Sequence, residues 1–105
     1  MILNVYAYFN KIIAAFDTKM QFDDHDDKQV VYGVQRGLTA NLVLGKYEQL
    51  KYLQLYKLGT FDDEKGEFVA DKVMLLDFDN VIASYEAKQV KEVQADVGKE
   101  AEQSA

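Results

Sequence analysis

The chain contains no cysteine, no proline, no tryptophan and a single histidine. Without thiols there is no disulfide framework, no Cys-ligated zinc, no iron–sulfur centre and no thiol nucleophile. A small secreted domain usually needs such staples, so a thiol-free chain of 105 residues points to the reducing cytoplasm. A Ser–His–Asp triad would have to use His25, whose carboxylate neighbours Asp23, Asp24, Asp26 and Asp27 keep an imidazole protonated and poorly basic. No nucleophile elbow, phosphate loop or dinucleotide-binding glycine pattern is present. The chain therefore reads as non-enzymatic, with no cofactor. No apolar run approaches the roughly 20 residues that span a bilayer. Met1 to Asn10 has no basic segment, so no secretory signal is expected there. With no Pro and only six Gly, the turns must be marked by Gly and Asp.

What is present is an ordinary globular balance, 49% apolar and 29% charged. Twelve basic against 18 acidic side chains leave a net charge of −6, which speaks against a generally basic nucleic-acid coat. The charge is uneven. Residues 61–105 hold five basic and twelve acidic side chains, whereas residues 28–60 hold Lys28, Arg36, Lys46, Lys51 and Lys57 against Glu48 alone. An anion-binding surface, if there is one, belongs to this mildly basic middle.

Residues 3–9 alternate, with Leu3, Val5, Ala7 and Phe9 on one face and Asn4, Tyr6 and Tyr8 on the other. Period two with aromatic and β-branched residues predicts a strand. Residues 10–25 fit either an extension of that strand or a short helix. Asp23 to Asp27 is a solvated loop that ends in a helix cap at Asp26 or Asp27. From Lys28 to about Leu44 the stripe Val31, Val34, Leu38 and Leu42 predicts an amphipathic helix closed by Gly45. Tyr52 to Thr60 alternates again, an acidic turn closes on Gly66, and Glu67 to Ala70 returns as a hairpin. Val73 to Phe78 reads as one more strand. Asp79 or Asn80 then caps a second helix with the stripe Ile82, Tyr85, Val90, Val93 and Val97. The expectation is one α+β domain over residues 1–97, a small antiparallel sheet with two helices in the order β–α–β–β(–β)–α. A flexible C-terminal tail over residues 98–105 is expected to follow.

In both alternating segments the rings fall opposite the aliphatic side chains: Asn4, Tyr6 and Tyr8 in one, Tyr52, Gln54 and Tyr56 in the other. If the segments are neighbours, Tyr6, Tyr8, Tyr52 and Tyr56 line one sheet face. Exposed rings stack unpaired bases at roughly 1–3 kcal/mol each, and Lys46, Lys51, Lys57 and Arg36 would hold the phosphates. The competing reading is that Tyr simply suits strands, and that a helix or second subunit covers this face. The Asp23–Asp27 run, the acids of 62–67 and the pair Asp77 and Asp79 offer oxygen ligands, but their spacing matches no cation loop and reads as solvated turns.

The stretch Tyr52-Leu53-Gln54-Leu55-Tyr56-Lys57-Leu58-Gly59-Thr60-Phe61-Asp62-Asp63-Glu64-Lys65-Gly66-Glu67-Phe68 resembles a segment of the small nonstructural proteins of gokushovirus-like microviruses, phages with small circular single-stranded DNA genomes. Its most specific part is Gly59-x-Phe61-Asp62-Asp63-x-x-Gly66. The chain departs from that pattern in its lack of proline and in its long acidic stretch after Val73. The resemblance implies a phage accessory protein of the bacterial cytoplasm that binds single-stranded DNA during genome replication or the switch to single-strand synthesis. It implies no catalytic residues. A homo-oligomer, or a module that docks a host or phage replication protein without touching nucleic acid, is the alternative expectation. That module would use an exposed sheet edge or the valine stripe.

Overall fold

The computed structural model describes the backbone of residues 1–103 and the side chains of residues 1–90. Strands β1 (Ile2–Asn10), β2 (Ala15–Phe16) and β3 (Gln21–Asp23) precede helix α1 (Asp27–Val43). A single 3-10 turn at Leu50–Tyr52 then leads into β4 (Leu53–Asp62), β5 (Glu67–Asp77) and helix α2 (Phe78–Gln103). The strands form one antiparallel sheet in the order β2-β1-β4-β5, with β3 also paired to β1. The class is α+β, as the alternating and helical periods predict. The two expected strands at 67–70 and 73–78 are one continuous strand, and the ambiguous segment 10–25 holds two short ones. The α2 backbone stays helical through Gly98 to Gln103, a run of Ala, Glu, Lys and Gln with high helix propensity and no proline to stop it. Residues 104–105, the end of the expected tail, lie outside the described residues, as do the side chains of Val93 and Val97.

Turns are built as the shortage of Gly and Pro requires. Side-chain oxygens of Asn10, Asp17, Asp23, Asp26, Asp62 and Asp77 each accept a backbone N–H two or three residues on, at 2.8–3.3 Å. Much of the acid that looks chemical in the sequence is spent on this task. Asp26 caps α1 in a reciprocal capping box with Gln29, and Asp27 adds negative charge to the first turn. Gly45, at φ 72°, ends the helix in the left-handed conformation that glycine adopts without strain.

Both helices cover one face of the sheet. Tyr6, Leu38, Leu42, Leu55, Leu76, Phe78 and Ile82 form the core, with Tyr8, Val30, Val31, Val34 and Leu53 packed around it. The α1 stripe thus falls where its spacing places it.

The sheet is not regular. Between the β1 pairs Val5–Gly59 and Tyr6–Lys57, β4 carries one extra residue, Leu58. Against β5, Lys57 and Gly59 pair with Val73 and Ala70, so β5 in turn carries one more than β4. Gly59 sits in this offset at φ 155°, and a Cβ there would lie 2.0 Å from the Val69 carbonyl oxygen and 3.0 Å from the Phe68 ring. Only glycine lets the two backbones approach so closely. Gly59→Ala is therefore expected to cost about 2 kcal/mol or more. Gly33→Ala and Gly37→Ala, which meet nothing within 4 Å, should each stabilise α1 by about 0.5–1 kcal/mol. Urea midpoints of the three variants check the contrast.

Candidate functional site

Cross-strand pairs share a face, so the register decides which rings are available. Tyr6 pairs with Lys57 and Tyr8 with Leu55, and all four lie on the helix-covered side. Ala7 pairs with Tyr56 and Phe9 with Gln54, which puts Tyr56 on the opposite, helix-free side. The four tyrosines of the expected stacking face are therefore not brought together. Tyr6 is 1% exposed and Tyr8 packs edge-on against Phe78 with ring centroids 5.9 Å apart. Tyr52 belongs to the 3-10 turn, where the Lys51 ammonium lies 5.2 Å from its ring centroid. The error has a physical origin. Alternation tells which residues share a face, but not which of the two faces the helices cover. The larger tyrosine side of β1 is the dry one.

The expected phosphate-holding cations are scattered as well. Lys57 reaches the Asp27 carboxylate at 3.3 Å. Arg36 lies over the Tyr32 ring at 5.8 Å on the exposed side of α1. Lys46 is exposed just past the α1 cap, and Lys51 sits over Tyr52. None of them adjoins Tyr56 across the sheet.

The buried end of this set is a built polar contact. The Tyr6 hydroxyl donates to the Asp27 carboxylate at 2.6 Å, and Lys57 donates to the other oxygen at 3.4 Å. Burial first, then the Asp27 hydrogen bond, hold the Tyr6 phenol far above its ordinary range. A phenol so held stays protonated and serves as a donor, not a nucleophile. Tyr6→Phe, which keeps the ring and deletes the donor, is expected to destabilise the fold by about 1.5 kcal/mol. Thermal and urea unfolding of that variant measure it.

The helix-free face is where the chain leaves apolar surface. Phe9, Phe16 and Tyr56 form one cluster, with centroids 5.0–6.1 Å apart in tilted and edge-on arrangements. Phe22 and Phe61 form a second at 5.6 Å. Between the clusters Val5 and Ala7 are buried although no helix lies above them, because the rings themselves roof them. Phe68 and Met74 continue the face along β5 through their pairing with Phe61 and Tyr56. Among the described residues, charge lies at the margins of this face, in Lys72, in the Lys11–Asp77 pair at 3.6 Å and in the Met1–Asp63 pair at 2.7 Å. Alternation puts Leu3, Val5, Ala7 and Phe9 on one side of β1 but does not reveal that this side is the one without helices. Phe16 and Phe22, large rings in a short segment that no helix stripe or long strand claims, are the signal the sequence offers.

At the tip of the acidic loop, Asp23 and Asp24 approach the His25 ring nitrogen at 2.5 and 3.3 Å. The Asp23 hydrogen bond, then the charges of Asp23 and Asp24, raise the His25 pKa above 6.5, while the His25 backbone N–H first, and then its ring, lower Asp23 below 3.8. An imidazolium held in this way is a poor metal ligand, and the three groups satisfy one another. The sign follows. The His25 contribution to stability is complete below about pH 6.5 and is lost as pH rises through the raised value; that of Asp23 is complete above about pH 3.8 and is lost as pH falls through the lowered one. An NMR titration should place His25 above 6.5, and Asp23→Asn should bring it back down.

No family model, curated protein or solved structure matches the chain. No helix among the described residues is long and apolar enough to cross a membrane.

Proposed function

We propose that the chain is a non-enzymatic interaction module that docks protein through its helix-free sheet face and the strand edge beside it. The observation that carries this reading is the pair of aromatic clusters on an almost uncharged face that no described element covers. Contiguous exposed apolar surface, rich in Phe, Tyr and Met and poor in charge, is the composition of the centre of a protein interface. The acids that could have supplied chemistry are engaged in turns, which leaves surface complementarity as the remaining resource.

A second reading keeps the phage accessory role that the resemblance implies, with single-stranded DNA as ligand. One feature favours it: Phe9, Phe16 and Tyr56 stand on a strand face, where bases could stack. Against it, the cations lie elsewhere, and a net charge of −6 repels phosphate.

Two measurements separate the readings. Phe22 is 51% exposed on β3, so Phe22→Ser should stay folded. A bacterial lysate passed over immobilised protein should yield a bound protein that the Phe22→Ser variant fails to retain. Fluorescence anisotropy with a labelled oligothymidylate at low salt should show no binding. Binding that disappears in Tyr56→Ala would overturn the proposal in favour of the nucleic-acid reading.

A further inference from the structure

Strand β5 ends the sheet: β4 pairs with one of its edges, and no described strand pairs with the other. Its distal half carries exposed large apolar side chains on both sides of a central Asp71–Lys72 pair. Phe68 and Met74, 48% and 46% exposed, point to the helix-free face. Val69 and Val73, 63% and 45% exposed, point to the other. A strand apolar on both faces is the pattern of a sheet interior, not of an edge. Natural edges are blunted by proline, inward charges or bulges. Here the offset opposite Leu58 falls within this stretch but leaves its alternation intact, since Ala70 and Val73, three residues apart, face opposite sides, and a second irregularity falls at Leu75, where Leu55 pairs with Leu76 but Tyr56 with Met74.

Resting on the interaction reading above, we infer that the occupant of this edge is a second copy of the same strand, paired antiparallel about a two-fold axis at Asp71. Symmetry restricts the choice. A two-fold axis perpendicular to the sheet must pass through a residue facing its own copy, because each face maps onto itself. Centring on Ala70 sets Phe68 against Lys72 and Val69 against Asp71. Centring on Lys72 opposes two ammonium groups directly and sets Val73 against Asp71. Centring on Val73 sets Met74 against Lys72 and Leu75 against Asp71. Centring on Asp71 sets Val69 against Val73 on one face and Phe68 against Met74 on the other, each twice. Of the four, only that register sets both exposed valines against each other and Phe68 against Met74, with no valine opposite a charge. Its costs are the two Ala70–Lys72 pairs and the meeting of the two Asp71 carboxylates at the axis, like charges that are exposed and so only weakly repulsive. The product is a continuous sheet across two protomers, in which the exposed valines become interior.

The register gives a charge-swap test. Sedimentation velocity on the intact protein over a concentration series should show a concentration-dependent dimer. Val69→Glu alone and Val73→Lys alone each place a charge opposite a valine and should weaken the dimer at least tenfold. Both positions are exposed, and circular dichroism confirms folding. The double variant places carboxylate against ammonium across the interface and should recover most of the loss, whereas within one chain the two positions are four residues apart on one strand. Asp71→Asn should tighten the dimer several-fold. A wild type that stays monomeric throughout overturns the inference, and a dimer without recovery in the double variant overturns the register. Neither outcome bears on Phe22, which lies on β3 beyond β1 and β4 from the β5 edge; failure of the Phe22→Ser experiment is therefore a separate result.

Discussion

The hydrogen bond from the Tyr6 phenol to Asp27 is the contact on which the arrangement of layers depends. Asp27 opens α1, directly after the Asp26 cap, so the bond ties the start of the helix to the middle of β1. Lys57, paired with Tyr6 across the ladder, completes the anchor from β4. One carboxylate thus joins a helix and two strands at the rim of the core. Its phenol donor is buried, and an unpartnered hydroxyl there would carry a desolvation cost of about 1–3 kcal/mol. That cost makes the choice of face cooperative. Once Tyr6 turns toward α1, Tyr8 and Leu55 follow by alternation, and Val5, Ala7 and Phe9 are committed to the other side.

That second side has no helix, and the chain manages it with rings. Large side chains from β1, β2 and β4 lean over the small residues between them, which buries Val5 and Ala7 under a single layer of aromatic carbon. Edge-on and tilted contacts suit ring quadrupoles and are worth about 0.5–1.5 kcal/mol each beyond area burial. The layer is closed over β1 and thins out along β5, where Phe68 and Met74 remain about half exposed. The sheet is therefore finished at one end and open at the other.

What was legible in the sequence was everything fixed by local chemistry. The α1 stripe, its Asp26 cap and Gly45 stop, and the Gly66 hairpin all follow from neighbours a few residues apart. Three things were not legible. The turn after β1 uses Ala14 at φ 51°, a left-handed residue with no glycine to announce it, so β2 stayed hidden. The covered face of β1 depends on where α1 docks, which is a tertiary fact that alternation leaves undetermined. The extra residue at Leu58 switches the parity of β4 midway, so Leu53, Leu55 and Lys57 face the helices while Gly59 and Phe61 do not. A single parity read along Tyr52 to Thr60 could not have been right for the whole strand.

The same switch explains the motif that carries the phage resemblance. Gly59 permits the close approach to Val69 at the offset, and Phe61 then lands beside Phe22 on the helix-free face. Asp62 accepts from the Glu64 and Lys65 amides, and its carbonyl accepts from Gly66 at 2.8 Å, closing the turn with Gly66 at φ 67°. Every defined position of Gly59-x-Phe61-Asp62-Asp63-x-x-Gly66 but one, Asp63, has a role inside the β4–β5 hairpin. A pattern accounted for by its own backbone geometry identifies how the hairpin is made and is silent on what it touches. Function has to be sought in what the hairpin exposes. It exposes an acidic tip at Asp63, Glu64 and Glu67 and, along β5, the apolar Phe68, Val69, Val73 and Met74, on a chain whose net charge is −6; that combination disfavours polyanions and is the physical basis on which a protein partner is proposed.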